Sequence, residues 1–293
     1  MAFALGTTTL EWGRQTYVMG IVNATPDSFS GDGVMRGEEW LAAAVAQGLA
    51  HVAAGAHVLD VGGESTRPGS QPIALEEELR RAIPVVRELA RRASVPISID
   101  TYKAEVARQA VEAGATIIND VWGLRMDPDM GRVAADSGAA VVVMHNRSQP
   151  KDAVQEARLG GRYVGVEYDD LIEDIKRELS ESVELALRAG VKPERIILDP
   201  GIGFGKTVEQ NLELIRRFGE FKALGYPLLA GPSRKSFIGY TLDLPPDQRA
   251  EGTAAVVALC IAHGADLVRV HDVAMMSRVA RMADAITRSR VHE

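Results

Sequence analysis

One cysteine, Cys260, is all that 293 residues contain, so no internal disulfide can form and a thiolate-rich metal site is excluded. No His/Cys pair has zinc spacing either. The longest apolar run, residues 254–262, is too short to cross a bilayer. The first residues lack the basic stretch and long apolar core of a secretory signal, so a cytoplasmic protein is expected. No low-complexity or Pro/Ser/Gly-rich linker divides the chain, which suggests one domain over residues 1–293. Basic residues are outnumbered, 33 Lys and Arg against 40 Asp and Glu, for a net charge of −7. That balance argues against nucleic acid as a partner.

What is present is one unit, repeated. Its fullest form spans residues 195–207, Arg-Ile-Ile-Leu-Asp-Pro-Gly-Ile-Gly-Phe-Gly-Lys-Thr. A short apolar run ends in Asp199, then come Pro200, glycines at alternate positions, Lys206 and Thr207, a residue able to cap a helix over 208–218. The Gly-Lys-Thr ending is not a phosphate-binding P-loop, because Pro200 stands where that motif needs glycine. Apolar runs at 17–23, 57–61, 95–99, 115–118, 139–144, 195–198, 226–230 and 267–270 read as strands, each followed by polar residues. Helical patterns lie at 38–54, 75–92, 104–113, 128–137, 168–189, 208–218, 251–263 and 274–288, several ending in Gly. Alternating short strands and helices imply a parallel sheet covered on both faces. Eight units in about 250 residues fit an α/β fold of the (β/α)8 TIM-barrel type, with an open doubly wound sheet as the competitor. Residues 3–12 alternate loosely and suggest a short N-terminal hairpin covering the barrel bottom.

In a barrel every strand end opens into one bowl, where active sites lie. The polar residues there are Asn23, Thr66, Arg67, Asp100, Asn119, His145, Asp199, Ser233, Lys235, Arg269 and His271. Each has a plain structural alternative. Asp100 with Thr101 suits a helix cap, Asn119 with Asp120 a turn, and Lys206 a stem over apolar surface. Together they suggest a deep half (Asp100, Asn119, Asp199, Lys235) matched to a planar ring with an amidine or guanidine edge. A rim half (Asn23, Arg67, Ser233, Arg269, His271) suits phosphate or carboxylate. Arg67, Arg234, Lys235 and Arg269 would gather positive charge at this rim of an acidic chain, pointing to an anionic small molecule. A Mg2+ held mainly by substrate phosphates and one side-chain oxygen would fit. No Ser-His-Asp pattern favours covalent catalysis. Residues 147–167 read as an exposed excursion and 241–249, with Pro245-Pro246, as a loop. The helix at 251–263 is apolar nearly all round, so both of its sides are covered, one by the barrel and the other by a second subunit or by the same chain.

Seven blocks resemble dihydropteroate synthase, the sulfonamide target of folate biosynthesis. They are Val-Asn-Ala-Thr-Pro-Asp-Ser-Phe-Ser (22–30), Gly-Gly-Glu-Ser-Thr-Arg-Pro-Gly (62–69), Ile-Asp-Thr (99–101), Ile-Asn-Asp (118–120), Asp-Pro-Gly-Ile-Gly-Phe (199–204), Gly-Pro-Ser-Arg-Lys-Ser (231–236) and Arg-Val-His-Asp (269–272). The resemblance implies a pterin-binding (β/α)8 barrel that joins 6-hydroxymethyl-7,8-dihydropterin diphosphate to p-aminobenzoate. Carried over by position, Asp100, Asn119, Asp199 and Lys235 hold the pterin, with Phe204 among the substrate-binding residues. Asn23 binds Mg2+, Arg269 and His271 meet the diphosphate, and Thr66, Arg67, Pro68 and Ser233 shape the p-aminobenzoate site. Lys235, Arg269, His271 and Arg67 are the expected catalytic set. A homodimer is expected as well. The first loop departs from the family pattern at Ser30-Gly31-Asp32-Gly33, which displaces the loop acid, Asp32, by one position. A pterin-dependent methyltransferase and a non-catalytic pterin-binding homologue are the alternatives. The first has no use for the anion set, and the second would lose Arg67, Lys235 or Arg269.

Overall fold

The computed structural model describes residues 2–5, 8–24, 38–66 and 70–288. Arg67, Pro68 and Asp32 lie outside them.

The chain opens with an antiparallel hairpin, β1 (Ala2–Leu5) and β2 (Thr8–Glu11). Eight parallel strands follow: β3 (Tyr17–Asn23), β4 (Val58–Gly62), β5 (Ile97–Asp100), β6 (Ile117–Asp120), β7 (Ala140–Met144), β10 (Ile196–Asp199), β11 (Leu229–Ala230) and β12 (Leu267–Val270). Their order is β10-β7-β6-β5-β4-β3-β12-β11. A bridge between Leu198 and Leu228 brings β10 back beside β11 and closes the circle. Helices α1 (Glu38–Ala53), α2 (Leu75–Arg92), α3 (Ala104–Glu112), α4 (Met130–Ser137), α5 (Leu171–Arg188), α6 (Val208–Arg216), α8 (Ala250–Ala262) and α9 (Val273–Thr287) run between and after the strands. The expected barrel is therefore found, with element ends shifted by a few residues at most.

The strands are apolar because both faces are buried. Outward residues such as Val18, Leu59, Ile118 and Val268 join the helices in one core. Inward residues Met19, Val58, Ile117, Val142, Ile197 and Leu267 form a second core with Phe3, Leu5 and Leu10 of the hairpin. The hairpin thus stoppers the N-terminal end of the barrel, as its alternation suggested.

Two local departures stand out. Residues 147–167 are not simply an exposed excursion. They contain a small hairpin, β8 (Ala153–Val154) with β9 (Arg162–Tyr163), and bury Leu159 and Tyr163. Arg249 donates to the Leu159 carbonyl and Tyr240 to that of Gly160, so the segment is anchored from across the rim. Just before the expected 241–249 loop, and running two residues into it, the chain forms a short helix, α7 (Ser236–Leu242), and within the loop a 3-10 turn (Pro246–Gln248). Seven residues without a capping side chain leave little periodic signal.

Thr207 does cap α6. Its hydroxyl accepts from the Gln210 N–H, and the Gln210 side chain accepts from the Thr207 N–H. Thr207→Ala should cost about 1 kcal/mol, seen as a melting temperature lower by about 2–4 °C.

Candidate active site

Strand alternation builds the site. Two residues beyond each inward apolar residue of the lower core stands an inward residue of the next layer up. Val58 is followed by Asp60, Ile117 by Asn119, Ile197 by Asp199 and Leu267 by Arg269, and Ser98 is likewise followed by Asp100. A floor of aliphatic side chains therefore carries a polar layer whose members come from five different strands.

Within that layer Arg269 is the hub. Its Nε donates to Asp60 Oδ2 and its Nη2 to Asp100 Oδ2, both at 2.5 Å. Asn119 Nδ2 also donates to Asp60 Oδ2, at 3.1 Å. The expected placing of Arg269 at the rim is thus corrected: position 269 has inward parity one layer below the mouth, opposite two buried acids. The other oxygens, Asp60 Oδ1 and Asp100 Oδ1, are buried with no donor among the described residues. Two such acceptors side by side suit a ligand edge carrying N–H groups. Burial pushes the Asp100 carboxyl up to about 7 despite the pull of Arg269. Burial also opposes charge on Arg269, but Asp60 and Asp100 hold the guanidinium protonated.

A raised carboxyl makes stability pH-dependent. Asp100 contributes most below its unfolded value, near 4, and that contribution is lost as pH rises through about 7. Asp100→Asn should therefore remove a fall in stability between about pH 4 and pH 7, measured as the difference between the two proteins in urea titrations.

Asp199 closes the opposite wall. Its Oδ1 accepts from the Gly201 N–H at 2.7 Å, and burial raises its carboxyl above the ordinary range. Lys235 donates to the Ile202 carbonyl and lies 4.3 Å from the centroid of the Phe204 ring. Desolvation lowers its ammonium to about 7, with Asp199 pulling the other way. Gly203 is required here. At φ +80°, a side chain would meet Lys235 Cδ at 2.5 Å.

Nearer the mouth, Ser233 Oγ accepts from the His271 N–H at 3.0 Å and lies 2.9 Å from His271 Nδ1. Asn23 ends β3, half-buried, with no side-chain partner among the described residues. Thr66 is half-buried on the loop after β4. The expected gathering of positive charge is only partly met, because Arg234 turns to Asp272, with contacts of 2.8 and 2.5 Å.

The plain structural readings fare unevenly. Neither Asp100 nor Thr101 caps α3, since the Ala104 N–H is taken by Asp127 at 2.8 Å. Asp120 is the turn former, accepting from Trp122 and Leu124, while Asn119 faces inward. Lys206 does more than lay its stem over a surface: its ammonium is buried against the carbonyls of Gly201 and Phe204. Asp60 escaped the sequence reading because it sits inside an apolar run. Its signal was there, a charge in the middle of a strand buried on both faces.

A family model described as pterin binding enzyme matches residues 19–271. Dihydropteroate synthase of Synechocystis sp. is 48% identical over 285 residues, 97% of this chain and 94% of that protein. A crystal structure of dihydropteroate synthase from Clostridium difficile, in the presence of pteroic acid, superposes with a TM-score of 0.87 at 48% identity, covering 96% of this chain and 100% of that one. The Xanthomonas albilineans dihydropteroate synthase with 4-aminobenzoic acid does so with a TM-score of 0.87 at 40% identity, covering 99% of each chain.

Proposed function

Since the chain belongs to the pterin binding enzyme family and acts as a dihydropteroate synthase, we propose a division of labour within its strand-end cluster. The polar layer holds the pterin ring. Asp100 and Asp199 accept from its N–H groups, Asn119 and Lys235 complete its hydrogen bonds, and Phe204 lies against its face. The observation that carries this reading is the pair of buried, partnerless carboxylate oxygens on Asp60 and Asp100. They adjoin Arg269, which offsets their charge.

The reaction breaks the bond between the pterin methylene carbon and the diphosphate oxygen. It forms a bond from that carbon to the aniline nitrogen, which then sheds a proton. Aniline is a weak nucleophile, so catalysis must come mainly from stabilising the departing diphosphate. Arg269 and His271 do this, with the remainder of the Arg269 guanidinium facing the anion. Arg67 joins them in the catalytic set, and Lys235 does so beside the pterin. Ser233, Thr66, Arg67 and Pro68 form the p-aminobenzoate side. Asn23, a lone carboxamide oxygen at a strand end, fits a Mg2+ that arrives mainly on substrate phosphates, and the ion would supply further charge neutralisation.

We read the whole chain as one pterin-binding domain, working in the cytoplasm; no helix among the described residues is long and apolar enough to cross a membrane. Its working form is a homodimer, supported by exposed Leu259 of α8 and by Met282 and Ile286 of α9. Leu259→Asp with Met282→Lys should shift sedimentation from dimer to monomer.

The test of the function is pyrophosphate release from the dihydropterin diphosphate with Mg2+, with and without p-aminobenzoate. Release that requires p-aminobenzoate and is lost in Lys235→Ala is expected. Pterin binding without release under either condition would overturn the assignment.

A further inference from the structure

Beneath the 200–207 loop lies a polar row, buried at Lys206 and His145 and half-buried beyond them, to which the proposed reaction assigns no part. Lys206 Nζ donates to the Gly201 and Phe204 carbonyls, each at 3.0 Å, and stands 3.0 Å from His145 Nδ1. His145 Nε2 is 3.1 Å from Glu178 Oε2. Glu178 Oε1 accepts from Arg147 Nε at 2.8 Å. The Arg147 guanidinium lies 4.2 Å over the Tyr168 ring, and the Tyr168 hydroxyl donates to the Gly205 carbonyl at 2.8 Å.

The donors and acceptors in this row close. An ammonium has three hydrogens and no acceptor, so three acceptors around Nζ use it fully. With Lys206 charged, His145 Nδ1 is the accepting nitrogen and its Nε2 proton faces Glu178; burial pulls the Lys206 ammonium well below its ordinary range, with Asp199 opposing. The row grips both ends of the loop, Gly201 through Lys206 and Gly205 through Tyr168. The loop also rests directly on the backbone of residues 145–148. A Cβ on Gly201 would stand 1.9 Å from the His145 carbonyl oxygen, and one on Gly205 2.5 Å from the Ser148 nitrogen.

Everything this loop presents belongs to the pterin side. Asp199 leads into it and is tied to the Gly201 N–H, Ile202 supplies the carbonyl that receives Lys235, and Phe204 lies beside that ammonium. We propose that Lys206, with Tyr168 as its counterpart at the far end, is a positioning residue for pterin binding. It fixes the loop backbone so that Asp199, Phe204 and Lys235 meet the ring together. The inference rests on the pterin reading of those three residues given above. Sites whose supporting contacts are loosened by about 1 Å lose up to roughly 10²-fold, and partial loosening is expected here.

The test compares Lys206→Met and Tyr168→Phe with the parent protein, measuring pterin binding alone, then KM for each substrate and kcat. Lys206→Met should raise the pterin dissociation constant and the KM for the dihydropterin diphosphate about tenfold, and Tyr168→Phe about threefold. The KM for p-aminobenzoate should stay within about twofold in both, a split that general destabilisation would not produce. A folded Lys206→Met with pterin affinity within about twofold of the parent would overturn the proposal, as would equal rises in both KM values. If Lys206→Met does not fold, Tyr168→Phe, which removes one oxygen, decides the question by the same split. Asp199→Asn serves as the control. If it leaves pterin binding intact, the pterin reading itself has failed; if it weakens binding while Lys206→Met does not, only the positioning role has.

Discussion

Arg269→Met should abolish measurable turnover and also destabilise the fold, by about 3–5 kcal/mol. Both effects come from one geometry. Two guanidinium donors are committed to Asp60 and Asp100, which are almost wholly buried and have no other cation bonded to them among the described residues. Removing the cation leaves two adjacent acids without compensation, so Asp100 should bind its proton more tightly still. On the role proposed above, loss of the positive charge that faces the departing diphosphate should cost roughly 10³-fold in kcat. Calorimetry and a turnover assay read the two effects separately. Arg269→Met combined with Asp60→Asn should regain part of the stability and none of the activity. If the double variant is no more stable than the single one, the guanidinium is not the counter-charge described here.

Asp199→Asn should behave differently. Asparagine keeps the oxygen that accepts from the Gly201 N–H, so the loop and the fold should survive. What is lost is the charge that strengthens hydrogen bonds to ligand N–H groups, worth roughly 10- to 100-fold in pterin affinity. The loss should appear in pterin titrations without p-aminobenzoate, with circular dichroism unchanged. An unaltered pterin affinity would remove Asp199 from the pterin site.

The contrast between Asp60 and Asp199 shows what a sequence can and cannot convey. The barrel was legible because burial on both faces makes each strand a short apolar run, and because such runs alternate with helices over the whole chain. Asp100, Asn119 and Asp199 were legible because they end those runs. Asp60 was not, since its neighbours Leu59 and Val61 face the helices and carry the same apolar signature as a core strand. Which residues pair across the barrel also lies beyond the sequence. Arg269 and Asp60 are 209 positions apart, and nothing local marks one as the other's counter-ion. Lys206 misled for a related reason. A lysine three-donor site built from two carbonyls and a histidine 61 residues away leaves no pattern, and the stem-over-surface reading is the ordinary one. The helix Ser236–Leu242 was too short, and too weakly capped, to stand out between Lys235 and Pro245.

The stoppered lower end of the barrel has a kinetic consequence. Phe3, Leu5 and Leu10 fill the space under the strands, so nothing the size of a substrate passes through from below. Traffic is one-ended, like a well rather than a tunnel. Whatever occupies the bottom must arrive first, and it leaves only after the molecules stacked above it have gone. On the pterin reading proposed above, the dihydropterin diphosphate would then enter before p-aminobenzoate, an order that binding of p-aminobenzoate with and without the pterin would check.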